Sequence, residues 1–369
     1  MGRQVLALVI KELLAVLRDP RSRMVLIGPP LIQLLVFGYA ASYDLNRVPI
    51  AVYNQDQSQA SRDLVARFAG SPAFAVEETL DSTERIDALV DARDVQMVLV
   101  IHRNFTRNLL TGQPAPVQLV LDGRNSNTAL LIQGYANTIL QDFALAWRAN
   151  RGAAAPPALL NLRSRYNPTL TSHWFIIPGI VALLTQVVTV LVVGLSVARE
   201  REMGTFDQLL VTPLRQVDIL LGKGLPGLLI GSIEATIVTA LAVFWFDIPL
   251  RGGLGALYLG VLLFVLAITG IGLAISALSK TQQQALLGAF LFIVPSVILS
   301  GFATPLDNMP GWVQTLTLAN PMRYFLVIVR GVFIEGAGVS DLVSQYWPMA
   351  VIGIATLALA GWLFRRRMA

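Results

Sequence analysis

Apolar residues along the chain follow two regimes. In six stretches they run nearly unbroken: Met24–Tyr43, Trp174–Ala198, Leu225–Phe246, Leu254–Leu278, Ala285–Thr304 and Trp347–Phe364. A helix of roughly 20 residues crosses the ~30 Å hydrocarbon layer of a bilayer, so each stretch is long enough to be a span. Between the first two, residues 44–172 change to shorter periods. VPIAVYN (48–54), AFAVEETL (73–80), VQMVLVI (95–101) and VQLVLD (117–122) read as strands. SQASRDLVARFAG (58–70), STERIDALVDAR (82–93) and the run from about Asn127 to Arg151 read as helices. Ser58 can cap the first of these. Ser82 opens the second with a capping-box spacing in which Arg85 stands where a Glu is expected, and Glu84 favours a helix start. Strands alternating with helices predict an α/β unit with a largely parallel or mixed sheet. The segment AAAPPALL (153–160) reads as a linker back to the spans. The predicted architecture is a mainly α-helical polytopic membrane protein, with six transmembrane helices and an α/β domain inserted between the first and second spans.

Two further segments have patterns of their own. The leader (1–23) places Val5, Leu6, Val9, Leu13, Val16 and Leu17 on one helical face, and Pro20 ends it before the first span (24–43). A helix lying in the membrane interface is predicted, because Lys11, Glu12, Arg18 and Asp19 would be costly in lipid; a simple extension of the first span is the alternative. In the five-span region (173–369), Pro305, Pro310 and Pro321 break residues 305–340 into helices too short to span twice.

Composition supports this reading. The chain is 54% hydrophobic and 14% charged, against about a quarter charged for a soluble domain. The net charge of +5 would suit nucleic acid, but no nucleic-acid motif is present, and basic residues mark inner loops in membrane chains. They cluster in the leader (Arg3, Lys11, Arg18, Arg21, Arg23), in the loop 199–224 (Arg199, Arg201, Arg215, Lys223) and at Arg365–Arg367. Both termini are therefore expected in the cytosol, and residues 44–172 outside it. That outer segment carries 12 Arg and 12 Asp plus Glu, and long translocated domains escape the positive-inside bias. With no cysteine and only His102 and His173, disulfides and His-rich metal sites are excluded as expectations.

Several polar residues are candidates for chemistry. Glu234 falls near the middle of the third span, where an ionisable group is expensive and must face a cavity or a partner helix. Gln33 and Gln186 are milder cases, suited to substrate contact or to bonding between helices. Asp122 and Arg124 at a strand end, and His102 at another, read as a solvated loop and a structural residue. No nucleophile–base pair or metal cluster emerges. A P-loop needs Gly-x-x-x-x-Gly-Lys-Ser/Thr. Of the three lysines, Lys11 precedes Glu12, Lys223 precedes Gly224, and Lys280 follows Ser279 with Ala274 at the first glycine position. None fits.

The loop 199–224 contains a Gly204–Thr205 break followed by Phe206, Leu209 and Leu210 on one face, closed by Pro213. The pattern fits a passive surface helix and a coupling helix equally well. The stretch EMGTFDQLLVTPL (202–214) resembles the signature of bacterial type-2 ABC permeases of the drug-efflux kind. So do KELLAVLRDPRSR (11–23) and FATPLDNMPGWVQTLTLANPMRYFLVIVRGVF (302–333). The resemblance covers the whole chain. It implies a permease subunit of an ATP-driven exporter in the bacterial inner membrane, with Glu202, Gly204, Thr205, Phe206 and Asp207 coupling it to a cytosolic ABC ATPase. It also implies a second permease copy or paralogue, a hydrophobic or amphipathic substrate, and a possible periplasmic adaptor. Residues 305–340 would form a re-entrant segment at the outer mouth, or a loop folded on the outer domain. No cofactor is expected on this chain, since ATP and Mg would be bound by the partner. The pathway would involve Glu234, Gln33 and Gln186. The main rival is a transmembrane sensor using the α/β domain as receptor. It lacks a cytosolic output domain, since the largest inner loop has 26 residues (199–224). An ion-coupled transporter is disfavoured by a single acid at depth and no evident inverted repeat.

Overall fold

The chain divides into two compact units, a long-helix unit (Met1–Ser42 and Ser164–Ala369) and a smaller unit (Tyr43–Arg163). The computed structural model describes residues 2–18, 20–40, 45, 47–150, 165–167, 171–206 and 215–368. The linker read at 153–160, and Asp19, Asp207, Leu209, Leu210 and Pro213, lie outside them.

In the smaller unit, β1 (Val48–Asn54), α3 (Gln59–Ala69), β2 (Phe74–Thr79), α4 (Glu84–Ala92), β3 (Met97–Ile101), α5 (Phe105–Thr111), β4 (Val117–Leu121) and α6 (Ser126–Ala149) follow one another. The sheet order is β2-β1-β3-β4, with β1 parallel to β2 and β3, and β4 antiparallel to β3. Alternate residues of the two central strands feed two cores. Ile50, Val52, Met97, Leu99 and Ile101 pack on Leu64, Phe68, Phe105, Ile132 and Phe143. Ala51, Val98 and Val100 pack on Ile86 and Leu89 of α4. β3 is buried along its whole length, which is why MVLVI lacks polar alternation. Ser58 caps α3 as expected, through the Ser61 amide. α4 starts two residues later than predicted, behind Thr83, with no side-chain cap. Helix α5 was not legible, since its seven residues span too few turns to show a period. Asp122 and Arg124 lie in a solvated loop, as expected, and form a staple within it. Arg124 Nε donates to Asp122 Oδ1 at 2.8 Å and its guanidinium reaches the Val90 and Asp91 carbonyls at the end of α4. These bonds hold the Asp122 carboxyl below its ordinary value.

The helical unit begins with α1 (Gly2–Arg18) and α2 (Pro20–Ala40). It continues with α7 (His173–Glu202), α8 (Gln216–Phe244), α9 (Leu254–Leu278), α10 (Gln282–Ile298), α11 (Gly311–Thr317), α12 (Pro321–Arg330) and α13 (Val343–Met368). Among the described residues, four helices are long and apolar enough to cross a membrane: α7, α8, α9 and α13. A fifth span results if the bent pair Gly311–Thr317 and Pro321–Glu335 counts as one. The span read at Ala285–Thr304 is shorter than predicted: α10 ends at Ile298 and the chain turns through Gly301 at φ +87, a conformation glycine adopts without strain. α2 runs through Pro29 and Pro30 without a break in its helix.

Small residues set the helix contacts. Gly227 and Gly231 of α8 lie against Val193 and Thr189 of α7, which fixes an antiparallel register between the two helices. The proline-broken segment bends by 81° between α11 and α12, and α12 buries Met322, Phe325, Leu326, Ile328 and Val329. Phe325 stacks on Phe264 of α9 at 4.3 Å. The short helix before the bend is largely exposed, with Trp312 and Leu316 on its surface, so only the α12 arm of the broken segment is packed inside protein.

Candidate functional site

The end of α7 carries the stretch that begins at Glu202. Past Glu202 the chain turns at Gly204 (φ +69), and Thr205 closes the turn with its amide on the Glu200 carbonyl at 2.9 Å. Phe206 then points inward. It is buried among Val193, Val197, Leu273, Ala274, Ala277 and Phe364, with the Arg201 guanidinium 4.9 Å above its ring. Arg201 Nη1 also donates to the Ala277 and Ser279 carbonyls at 2.8 and 3.1 Å, fastening α7 to the end of α9. Glu202 accepts from the Gln282 amide and side chain at 2.9 and 3.1 Å, which ties the turn to the start of α10. Of the motif residues, Glu202 and Gly204 face outward together with Met203, while Phe206 serves as an internal anchor. Asp207 lies outside the described residues.

Next to this turn is a cluster that the sequence reading did not assemble. Lys223 of α8 has a side chain 0% exposed. Its Nζ lies 2.6 Å from Glu12 Oε1 of α1 and 2.6 Å from Glu200 Oε2 of α7. The second contact pairs the ammonium with Glu200 Oε2 as an ion pair. Lys11 Nζ closes the group on Glu200 Oε1 at 2.6 Å. Two ammonium groups and two carboxylates therefore join α1, α7 and α8. One turn before Glu12, Leu8 sits on Gly222, where a Cβ would collide with it. Leu8 and Val9 are buried, while Leu6, Ile10, Leu14 and Leu17 form an exposed stripe. The signal in the sequence was a single lysine inside the apolar run DILLGKGLPGLL, which needs a buried counter-charge.

The three expected pathway residues fall in three places. Gln33 lines an apolar groove of about 770 Å³ between α2, α7 and α10, with Phe37, Leu183, Val187, Phe290 and Val294. Gln186 is buried at a helix junction, where its Oε1 accepts from Ser296 Oγ at 3.3 Å and Ser296 bonds in turn to Asn320 at 2.9 Å. Glu234 is buried on α8, one turn beyond Gly231, with no hydrogen-bond partner among the described residues. The Thr185, Thr189 and Thr269 hydroxyls of the neighbouring helices also lack partners there. Glu234 does not line the groove that contains Gln33.

Along most of its length the chain is similar in sequence to known proteins. The model of the ABC-2 family transporter protein matches residues 21–362. The chain belongs to the ABC-2 transporter family. It is 38% identical over 361 residues to the "Probable multidrug ABC transporter permease YbhR" of Escherichia coli strain K12, covering 98% of both chains. To the "Probable multidrug ABC transporter permease YbhS" of the same organism it is 33% identical, covering 90% of this chain and 89% of the other. It is 29% identical to the "Inner membrane transport permease YhhJ", covering 99% of this chain and 97% of the other. The ABC-2 chain is accordingly a permease subunit of an ABC transporter, a multi-pass protein of the inner membrane, and its family implies an ATPase partner.

Proposed function

We propose that the chain forms, as a dimer, the membrane pathway of an exporter driven by a separate cytosolic ATPase. In this reading α2, α7, α8, α9, α10 and α13 are six spans, both termini are cytosolic, and the α/β unit is extracytoplasmic. The observation that carries the coupling is the ion cluster. Glu200 and Lys223 flank the inner loop on either side, and both are joined to the leader helix, Glu200 to Lys11 and Lys223 to Glu12. A push on Glu202, Met203 and Gly204 is then passed to α1 as well as to α7 and α8. Phe206 keeps the turn rigid from inside. Buried charge pairs are weak stabilisers but hold a unique geometry, which suits a lever.

The substrate is a hydrophobic or amphipathic compound such as a drug or a lipid-like molecule. It uses the Gln33 groove, whose exposed α10 wall (Leu286, Leu287, Phe290) a second permease copy or a paralogue covers. A periplasmic adaptor would extend the route outward. Gln186 supports the groove from behind. Glu234 acts in the α7–α8–α9 seam instead of touching substrate. The test is drug-stimulated ATPase activity of the permease–ATPase complex in proteoliposomes. Gln33→Leu should change stimulation several-fold across a series of amphipathic cations, with unchanged protein in the membrane. Glu234→Gln, which keeps shape and hydrogen bonding, should leave the concentration dependence as in wild type. Unaltered stimulation in Gln33→Leu, with a shifted dependence in Glu234→Gln, would move the pathway to the seam.

A further inference from the structure

A second groove opens on another side of the helical unit, between α8, α9 and α13, and holds about 560 Å³. Leu221, Leu225, Leu228, Leu266 and Leu357 wall it, and Arg365 lines one end. Along α8 its lining runs from Val217 to Leu228, and eleven residues of helix rise roughly 16 Å. That is about half of a ~30 Å hydrocarbon layer, the depth of one leaflet. At the basic end Arg365 and Arg366 are both exposed, and neither has an ion pair among the described residues. Arg366 lies over the Trp362 ring at 4.4 Å, which holds its charge beside the groove.

Charge distinguishes the possible occupants. A second copy docking here about a two-fold axis would use the same patch on both chains and bring two pairs of arginines together. A neutral lipid would fill the apolar wall and leave the arginines without counter-charge. We infer that the α8–α9–α13 groove binds an anionic phospholipid, with an acyl chain along the leucines and the headgroup phosphate on Arg365 and Arg366. Basic pockets between spans at the cytoplasmic surface recognise such headgroups. The inference rests on the assignment of these helices as membrane spans. Gly361 keeps the groove open: it lines the wall, and no atom lies within 4 Å of a Cβ placed there.

Native mass spectrometry of the full chain in detergent tests this without the ATPase, so its outcome is separate from that of the transport reading. Phosphatidylglycerol and phosphatidylcholine with identical acyl chains are added in turn, with inorganic phosphate as competitor. The wild-type chain should hold one phosphatidylglycerol in preference to phosphatidylcholine, and two arginines near the surface set that preference at about thirtyfold. The double variant Arg365→Gln, Arg366→Gln should lose the preference and keep weak binding of both lipids. Gly361→Leu should fill the groove and reduce retention of both, with an unchanged melting temperature as the check on folding. Displacement by inorganic phosphate alone would show a surface anion site and overturn the proposal. So would equal retention of the two lipids by wild type, or full retention by Gly361→Leu.

Discussion

Lys223, Glu12, Glu200 and Lys11 place two cations against two anions where α1, α7 and α8 meet. Removing ions from water costs several kcal/mol each, and mutual attraction offsets this only while every partner is present. Lys223→Met keeps much of the side-chain volume and removes the charge. Glu12 would then lose its 2.6 Å counter-ion, and Glu200 would keep only Lys11. Truncating one partner of a buried pair costs about 3–5 kcal/mol. The melting temperature of the detergent-solubilised variant should fall well below wild type, and Lys223→Met combined with Glu12→Gln should recover part of the loss. A wild-type melting temperature in the single variant would mean that water reaches the cluster. Phe206 sets a second expectation at this scale. Because its ring is part of the packed core, Phe206→Ala opens a cavity worth about 3–5 kcal/mol and should lower stability before it affects any partner. Glu202→Ala, at an exposed position, should instead weaken ATPase association in a pull-down while the melting temperature holds.

At the scale of elements, the leader helix is seated by one apolar contact and the ion cluster. Leu8 rests on Gly222 and Glu12 on Lys223, one turn apart on α1 and adjacent on α8. Gly222→Val should push α1 away and uncover Lys223. Amine acylation read by mass spectrometry reports this directly, since the chain has only three lysines. Lys11, with a side chain 54% exposed, serves as the reactive control. Lys223 should be inert in wild type and labelled in the variant; equal protection in both would separate α1 docking from that glycine. The leader also marks the limit of what periodicity reveals. The spacing of Val5, Leu6, Val9 and Leu13 predicted a helix correctly, but the buried face was chosen by an ion pair 211 positions away in sequence. The strands of the α/β unit were legible because alternation and apolar runs are local properties. The turn at Gly204 and Thr205 was legible for the same reason. Helix α5 and the inward orientation of Phe206 were not, because the first is too short to show a period and the second depends on packing from α9 and α13.

For the molecule as a whole, the helical unit supplies a groove, a clamped turn at the end of α7 and a broken segment whose second arm, α12, is buried, and no lysine of the chain stands in a phosphate-binding loop. The account therefore depends on energy arriving from another subunit through the α7–α8 turn. The most direct test is nucleotide hydrolysis by the purified chain in proteoliposomes, alone and after addition of its ATPase subunit. The prediction is no hydrolysis above empty vesicles for the chain alone, and vanadate-sensitive, substrate-stimulated hydrolysis in the complex. Stimulation should be reduced by Glu202→Ala. Vanadate-sensitive hydrolysis by the rigorously purified chain alone would contradict the account.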